Sequence, residues 1–278
     1  MTSFPLKAAV MGWPISHSLS PRLHGFWLRQ YGIDGRYDAL PVEPQNLQSA
    51  LRALPAQGLR GVNLTVPLKE LALSVIDTAD DTARRIGAVN LVTVEPDGRL
   101  HGRNTDAYGF TQNLLHGGYK PDSTAFVLGA GGAARAVIVA LADMGFTDIR
   151  IANRTVDRAE KLARDFSTPA GSITPVAWHD AADALGGVDL LVNTTSLGMK
   201  GQPELAFPLD ALPATAAVTD IVYNPLETAL LRAARRRGHQ TIDGLGMLLH
   251  QARPSFAAFF GQDPAVTPQL RDYILADK

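Results

Sequence analysis

The chain has 278 residues, of which 46% are hydrophobic and 19% charged, and its formal net charge is -1. This balance is ordinary for a globular protein, and the length suits one large domain or two modest ones. The absence of cysteine excludes disulfides, thiolate nucleophiles and Cys-ligated metal sites. The lack of a basic excess argues against nucleic acid as a partner.

The N-terminal stretch has no basic region followed by a long apolar run, so no signal peptide is expected. No run of about 18 apolar residues occurs, so no membrane span is expected either. The histidines are scattered without the spacing of metal ligands, which predicts no metal site. The expected location is the cytoplasm.

The first hundred residues alternate short apolar runs with amphipathic stretches, which predicts an α/β domain. Ser20 followed by Pro21 predicts a helix N-cap with proline in the first turn. The segment Pro96-Asp97-Gly98 predicts the turn of a hairpin between residues 89–94 and 100–103. The other predicted elements are strands over 6–12, 37–42 and 59–66 and helices over 21–31, 47–54 and 69–76.

A predicted connecting helix, residues 105–115, leads into a second α/β series. Strands alternate with helices at a spacing that predicts a parallel, doubly wound sheet. The strands are predicted over 125–128, 148–152, 174–178, 190–193, 217–221 and 240–243, and the helices over 133–144, 156–166, 228–237 and 247–260.

A glycine-rich turn matching G-x-G-x-x-A lies directly between a predicted strand and a predicted helix. Gly129 permits a tight turn, Gly131 lets the backbone approach a pyrophosphate, and Ala134 keeps the helix close to the strand. The helix N-terminus supplies N–H donors to the phosphates. In this context the turn predicts dinucleotide binding, with contacts from Gly129, Ala130, Gly131, Gly132 and Ala133.

The end of the next strand discriminates between NAD and NADP. A site selective for NAD carries an acidic residue there, which bonds the ribose hydroxyls. This chain has Asn153-Arg154-Thr155 instead, with Arg158 one helical turn later. Guanidinium, amide and hydroxyl groups suit a 2′-phosphate, so these four residues predict NADP. Outside this setting, the two arginines would be more typical of a solvated surface.

Polar motifs recur through the chain where loops follow strands. They are Ser16–Pro21, Gly61–Lys69, Gly87–Asn90, Gly102–Asp106, Asn153–Thr155, Tyr223–Pro225, and Gly244–Met247 with Gln251. In this order, and with the glycine turn, they resemble the shikimate dehydrogenase family over essentially the whole chain. Members of that family reduce 3-dehydroshikimate with NADPH to shikimate, an intermediate of aromatic amino-acid synthesis.

The resemblance implies a domain organisation and a catalytic pair. Residues 1–105 and 245–278 would form an N-terminal α/β domain that binds substrate and carries out catalysis. Residues 106–244 would form a Rossmann-type domain that binds NADP. Lys69 and Asp106 would be the catalytic pair, because a lysine beside a carboxylate can stabilise the substrate oxygen and exchange a proton with it.

The resemblance also assigns the binding residues. Those for the substrate carboxylate would be Ser18, Ser20 and Tyr223, and those for the ring hydroxyls would be Thr65, Asn90, Asp106 and Gln251. Those beside the nicotinamide would be Ile221, Gly244 and Met247, and Asp81 matches a further position near the cofactor. His17 and His24 fall at no catalytic position. The chain departs from the commoner family pattern at Leu68, where a histidine often precedes the lysine.

Three other functions stay open at this point. A quinate or quinate/shikimate dehydrogenase shares these motifs, although Ser20 and Arg154 favour shikimate and NADP. An aminoshikimate dehydrogenase is a further relative. A non-catalytic NADP-sensing protein belongs to another class, and the presence of both Lys69 and Asp106 argues against it. The expected partners are small molecules only, with no nucleic acid and no membrane, in a monomer or a homodimer.

Overall fold

The computed structural model describes residues 5–120, 123–169 and 171–276. The chain divides into two compact units, Met1–Thr105 with Leu249–Lys278, and Asp106–Leu248. The outer ends of the predicted first domain, residues 1–4 and 277–278, lie outside the described residues. Within the described ranges, every helix is too short or too polar to cross a membrane.

The first unit contains a mixed six-stranded sheet with the strand order β2-β1-β3-β5-β6-β4. Strand β1 pairs in parallel with β2 and β3, and β5 pairs in antiparallel with β3 and β6. The elements are β1 (Leu6–Gly12), α1 (Ser20–Gln30), β2 (Gly35–Pro41), α2 (Leu47–Arg52), β3 (Leu59–Leu64), β4 (Thr78–Ala79), α3 (Asp81–Ile86), β5 (Leu91–Val94) and β6 (Leu100–Arg103).

These pairings bring four chain segments to one edge of the sheet. Strands β1, β3 and β6 run in the same direction, so their carboxyl ends meet there, and β5 runs oppositely, so its amino end joins them. We call this the first-sheet edge; it comprises the segments that follow β1, β3 and β6 and the segment that precedes β5. Below it, a buried apolar cluster holds the sheet against its helices, including Met11, Leu51, Leu64, Leu68 and Val92.

Two local predictions in this unit are wrong. Residues 69–76 do not form an α-helix; only Leu71–Ser74 winds into a short 3-10 helix. The N–H groups of Val75 and Ile76 both bond to the carbonyl of Ala72, and the chain then leaves to form β4. The segment is therefore too short for more than one turn.

The predicted N-cap at Ser20 is the second error. The helix α1 begins at Ser20 itself, and the preceding Leu19 already has helical backbone angles. The N–H of Ser18 bonds to the carbonyl of Ile15, so the chain starts to wind before Ser20 is reached. The Ser18 hydroxyl accepts the N–H of Ser20 at 3.3 Å, and the Ser20 side chain does not cap the helix.

The second unit contains a six-stranded sheet in which every pair is parallel, as predicted. Counted along the chain from its first strand, the order is 3-2-1-4-5-6, that of the doubly wound dinucleotide-binding fold. The elements are α4 (Asp106–His116), β7 (Thr124–Leu128), α5 (Gly132–Asp143), β8 (Asp148–Asn153), α6 (Val156–Phe166), β9 (Ser172–Ala177), β10 (Leu190–Asn193), β11 (Ala217–Asp220), α7 (Ala229–Arg236) and β12 (Gln240–Ile242).

Two helices complete the chain, α8 (Leu245–Phe260) and α9 (Pro268–Leu275). In the first unit, Phe256 and Phe259 of α8 pack in an aromatic cluster with Trp27 and His24. Helices α9 and α3 were not predicted from the sequence. Both begin at a side-chain cap, since Thr267 accepts the N–H of Leu270 and Asp80 accepts that of Ala83.

Candidate active site

The first-sheet edge gathers most of the residues predicted to bind substrate. Ser18 and Ser20 follow β1, Thr65 and Lys69 follow β3, and Asn90 immediately precedes β5. The strand pairing continues through these segments. Backbone hydrogen bonds link Thr65 to Met11 at 2.9 Å and Asn90 to Arg103 at 3.0 Å. A sheet therefore sets the spacing of these residues, which leaves them less freedom than a loop would.

Asn90, Thr105 and Gln251 form a hydrogen-bonded triangle at this edge. The Asn90 amide donates to the Thr105 hydroxyl at 3.0 Å and to the Gln251 side-chain oxygen at 3.2 Å. The Thr105 N–H donates back to the Asn90 oxygen at 2.8 Å, and its hydroxyl donates to the Gln251 carbonyl at 2.9 Å. The structure thus brings together two predicted substrate residues, Asn90 and Gln251. It adds Thr105, whose position in the Gly102–Asp106 motif was the available signal.

Asn63 supports this triangle from below, a role that the sequence analysis missed. Its amide donates to the Asn90 carbonyl at 2.9 Å and to the Ser255 hydroxyl at 2.7 Å. Its oxygen accepts the Tyr37 hydroxyl at 2.8 Å. All of these groups are buried, so each polar atom that Asn63 supplies is matched. The Gly61–Lys69 motif contains Asn63, but only the fold shows that the Asn63 side chain is buried.

Gly12 explains how Thr65 is placed. A Cβ on Gly12 would lie 2.4 Å from the Thr65 methyl carbon and 3.2 Å from the Val66 carbonyl oxygen. A larger residue at this position would force the Thr65 side chain to move and would crowd the Val66 carbonyl. The end of β1 therefore packs directly against the segment that carries Thr65.

The predicted catalytic residues Lys69 and Asp106 belong to different compact units. The Lys69 carbonyl accepts the N–H of Val89 at 2.8 Å, next to Asn90. Asp106 is buried, begins α4, and follows Thr105, which Asn90 also holds. The segment 89–90 therefore fixes the backbone of Lys69 and of the residue before Asp106. The pairing of their side chains stays a prediction.

His24 lies in the aromatic core of the first unit. Its ring stacks on Tyr37 with the ring centroids 3.9 Å apart and an interplanar angle of 4°. Burial lowers the pKa of His24 to about 3, so the ring is neutral at physiological pH. The cluster gives His24 a structural role. No group of three His, Asp or Glu residues in the described part of the chain is arranged to hold a metal ion.

The glycine turn of the second unit has the backbone geometry that a dinucleotide needs. Gly129 has φ of 104°, and a Cβ there would lie 2.7 Å from the Thr194 hydroxyl. Gly131 is the residue before α5, and nothing lies within 4 Å of the position its Cβ would take. That space is open to a pyrophosphate at the helix N-terminus. Ala134 is fully buried, so α5 packs closely on the sheet.

The end of β8 supplies the groups predicted for a 2′-phosphate. Arg154 and Arg158 are exposed, and neither forms an ion pair with a described acidic residue. Asn153 also has contacts within the protein, and its predicted contact with the cofactor stays a prediction. Its oxygen accepts the Ala130 N–H at 3.2 Å and its amide donates to the Thr155 carbonyl at 2.8 Å. Asn153 thus braces the glycine turn, while the two guanidinium groups are available to bind phosphate.

Ile221 and Gly244, both predicted beside the nicotinamide, are in contact. A Cβ on Gly244 would lie 2.4 Å from the carbonyl carbon and oxygen of Ile221. Met247 is buried in the first turns of α8. Asp81 is exposed at the start of α3 in the first unit. The cofactor contacts of these residues stay predictions.

Tyr223 and Asp220 have pKa values that burial shifts upward. Burial raises the pKa of the Tyr223 hydroxyl, which keeps that group a hydrogen-bond donor. Burial also raises the pKa of the Asp220 carboxyl from 3.8 to about 6, although hydrogen bonds from Val222, Thr228 and Asn193 act to lower it. Asp220 lies at the end of β11 and was not among the predicted site residues.

Two family models match the chain. The model described as "Shikimate dehydrogenase substrate binding domain" matches residues 10–92, and "Shikimate / quinate 5-dehydrogenase" matches residues 116–199. A shikimate dehydrogenase (NADP(+)) from Paramagnetospirillum magneticum is 56% identical over 272 residues, which cover 97% of this chain and 98% of that protein.

Solved structures agree with the family models over nearly the whole chain. The shikimate 5-dehydrogenase of Thermus thermophilus, in complex with NADP(H) and shikimate, is 38% identical with a TM-score of 0.87, covering 98% of this chain and 99% of that one. The quinate dehydrogenase of Corynebacterium glutamicum, in complex with NAD, is 31% identical with a TM-score of 0.91 and the same coverage.

Proposed function

The chain belongs to the shikimate dehydrogenase family, and from that premise we propose that it catalyses the reversible, NADPH-dependent reduction of 3-dehydroshikimate to shikimate. The family and the α/β fold with a Rossmann-type unit are confirmed predictions. The reaction places the protein in the shikimate pathway of aromatic amino-acid synthesis. It is an NADP-dependent oxidoreductase acting on a CH–OH group.

The observation that carries this proposal is the first-sheet edge. A polyhydroxylated acid needs a donor or acceptor for each hydroxyl, because an unmatched buried polar group costs about 1–3 kcal/mol. Asn90 and Gln251 are hydrogen-bonded to each other there, and Thr65 follows Leu64, whose N–H donates to the Asn90 carbonyl. Ser18 and Ser20 supply hydroxyls for the carboxylate, with Tyr223 as a third donor.

Lys69 and Asp106 are assigned the proton transfer. When bound, NADPH supplies the hydride to the substrate ketone carbon. As negative charge develops on the ketone oxygen, the Lys69 Nζ donates a hydrogen bond and then a proton to it. The Asp106 carboxylate accepts a hydrogen bond from the neighbouring substrate hydroxyl and orients the lysine. In the reverse direction, the same lysine nitrogen takes the hydroxyl proton.

The glycine turn suits a dinucleotide, and the residues at the end of β8 fit NADP better than NAD. The N–H groups at the start of α5 and the open space at Gly131 accommodate the pyrophosphate. Arg154 and Arg158 are charged donors for the 2′-phosphate, with Thr155 between them. An acidic residue at this position would repel that phosphate, and this chain has none at Asn153–Thr155. Ile221, Gly244 and Met247 are assigned to the nicotinamide and Asp81 to the cofactor.

Quinate is the second candidate substrate, because a quinate dehydrogenase that binds NAD shares the fold at 31% identity. The two activities separate in one assay, the absorbance change of the reduced cofactor. Purified protein is supplied with NADP or NAD and with shikimate, quinate or no substrate. The proposal expects shikimate with NADP to give the highest kcat/KM. A higher value for quinate with NAD would overturn it, and no turnover with any pair would support the NADP-sensing alternative.

The cellular setting follows from the reaction. We place the protein in the cytoplasm, where a biosynthetic reductase meets NADPH, and its partners are small molecules. A monomer and a homodimer are both compatible with a site built from one chain. Sedimentation of the purified protein, with and without NADP, separates them.

A further inference from the structure

Two loops at the carboxyl edge of the second sheet are joined to each other. The first, residues 194–203, follows β10, and the second, residues 221–228, follows β11. The Lys200 N–H donates to the Asn224 carbonyl at 2.8 Å. A Cβ on Gly198 would lie 3.5 Å from the Thr228 Cβ, so the loops also pack together. We call these segments the paired loops.

Asp220 connects both ends of the second of the paired loops. Its side chain is fully buried. One carboxylate oxygen accepts the Val222 N–H and the Asn193 amide, each at 2.9 Å. The other accepts the Thr228 hydroxyl at 2.7 Å, and that hydroxyl in turn accepts the Leu231 N–H at the start of α7. A single carboxylate therefore closes the loop from Val222 to Thr228.

This arrangement is a costly way to close a loop. No basic side chain in the described part of the chain forms an ion pair with Asp220. A buried carboxylate without a cation loses hydration that its hydrogen bonds only partly replace. An apolar side chain would avoid that cost but could not accept three donors from two directions. The carboxylate is therefore suited to fixing the loop conformation.

The loop that Asp220 closes carries Tyr223. Ile221 is held separately, since its N–H donates to the Asn193 carbonyl at 3.1 Å and Gly244 packs against its carbonyl. The position of the Tyr223 ring depends on the loop backbone from which it extends. A shift of the loop would move Tyr223 and leave Ile221 in place.

We propose that Asp220 is a positioning residue for Tyr223, whose hydroxyl binds the carboxylate of an alicyclic hydroxy acid. This inference rests on the proposed function, because the role of Tyr223 is part of it. Asp220 does not touch the substrate. It acts by holding the loop, so its loss affects substrate binding more than cofactor binding.

The test compares Asp220→Asn with a matched control, Asp189→Asn. The Asp189 carboxylate also accepts a backbone N–H, that of Thr124 at 2.9 Å, but at the amino edge of the same sheet. For Asp220→Asn we expect the KM for shikimate to rise about tenfold, the equivalent of one hydrogen bond, with the KM for NADP changed less than about twofold. The control leaves both constants within about twofold of wild type.

A double-mutant cycle tests whether Asp220 acts through Tyr223. Tyr223→Phe removes the hydroxyl that the loop positions. In that background Asp220→Asn should raise the KM for shikimate by less than about twofold. A full tenfold rise there, or an unchanged KM in the single variant, overturns the inference. If Asp220→Asn fails to fold, Thr228→Val removes one of the three donors and should show the same KM pattern in smaller size.

Amide hydrogen exchange separates this inference from the proposed function. If the wild type turns over shikimate and Asp220→Asn keeps a normal KM, only the inference fails. If the wild type does not turn over shikimate, the proposed function fails, and exchange at residues 221–228 tests the loop alone. Faster exchange in Asp220→Asn than in Asp189→Asn supports the loop closure, and equal exchange contradicts it.

Discussion

The polar side chains at the first-sheet edge and those at the end of β8 differ in their burial and in their hydrogen-bond partners. At the first-sheet edge, Asn90 is buried and hydrogen-bonded to its neighbours. The buried Asn63 side chain also has hydrogen-bond partners for both its amide nitrogen and its oxygen. At the end of β8, Arg154 and Arg158 extend into solvent without described ion-pair partners. The polar side chains at the first-sheet edge are thus already hydrogen-bonded to one another, whereas the two arginines at the end of β8 are exposed to solvent.

This difference indicates how each region would discriminate between ligands. A preorganised set of short polar groups rejects a substrate that lacks a matching hydroxyl, because its buried donors would stay unpaired. Exposed arginines select by charge, which solvent screens, so their contribution is smaller and depends on salt. Substitutions in the two regions should therefore have effects of different size. They should also change different constants, those for the substrate at the first-sheet edge and those for the cofactor at the end of β8.

The largest effect is expected at Lys69, on the substrate side. Lys69→Ala removes the proton donor, and kcat should fall about 10²–10⁴-fold while the KM for shikimate changes only a few-fold. Steady-state rates with NADP and shikimate measure both. Lys7→Ala, at the opposite end of β1, is the control and keeps normal kcat. Near-normal turnover in Lys69→Ala would remove Lys69 from the mechanism.

The next largest effect is expected in the pH dependence of the free energy of unfolding, because of Asp220, a buried carboxyl in the second unit. Its raised pKa means that between about pH 4 and pH 6 the native state holds a proton that the unfolded chain has released. The free energy of unfolding therefore decreases as pH rises through this window, by roughly 3 kcal/mol from this group. Urea unfolding of the wild type and Asp220→Asn at pH 4.5–7 measures the difference, and the variant should lack this decrease. Parallel pH profiles would contradict the raised pKa.

A smaller effect is expected at Gly131, on the cofactor side. Its φ of -95° is open to alanine and nothing lies near the added methyl group, so Gly131→Ala should fold normally. The methyl occupies the space assigned to the pyrophosphate. The dissociation constants for NADP and NAD should therefore both rise about tenfold, a loss of roughly 1.4 kcal/mol in binding free energy. Quenching of intrinsic fluorescence by each cofactor measures them. Unchanged binding of both cofactors would show that the pyrophosphate lies elsewhere.

The sequence predicts the cofactor region of this comparison better than it predicts the first-sheet edge. The glycine turn and the strand before it were predictable because local backbone geometry demands glycine at Gly129. The supports at the first-sheet edge were not, because Tyr37, Asn63 and Ser255 are distant in sequence and meet only through strand pairing and α8.

Errors arose where tertiary contacts override local preference. Serine is a common N-cap residue, but Ser20 lies inside the helix. A turn closed by the bond from the Ser18 N–H to the Ile15 carbonyl already precedes it. The segment 69–76 has helical spacing, yet the short distance to β4 allows only one turn.

The smallest effect is expected at Tyr37, beneath the first-sheet edge. Tyr37→Phe leaves the Asn63 oxygen without its donor and should lower the free energy of unfolding by about 1 kcal/mol. The KM for shikimate should stay within about twofold, because Asn63 keeps both of its bonds to Asn90 and Ser255. Tyr31→Phe, at a partly exposed residue directly after α1, is the control for loss of a hydroxyl. A large rise in KM without loss of stability would place Tyr37 closer to the substrate than this account allows.

The separation of the two selectivities is tested most directly by Arg154→Ala. Its kcat/KM is measured for shikimate and quinate, each with NADP and NAD, beside the wild type. The account predicts that the preference for NADP over NAD falls about 10–100-fold, the equivalent of a charged hydrogen bond, while the preference for shikimate over quinate is unchanged. An equal loss with both cofactors, or a changed substrate preference, would contradict it.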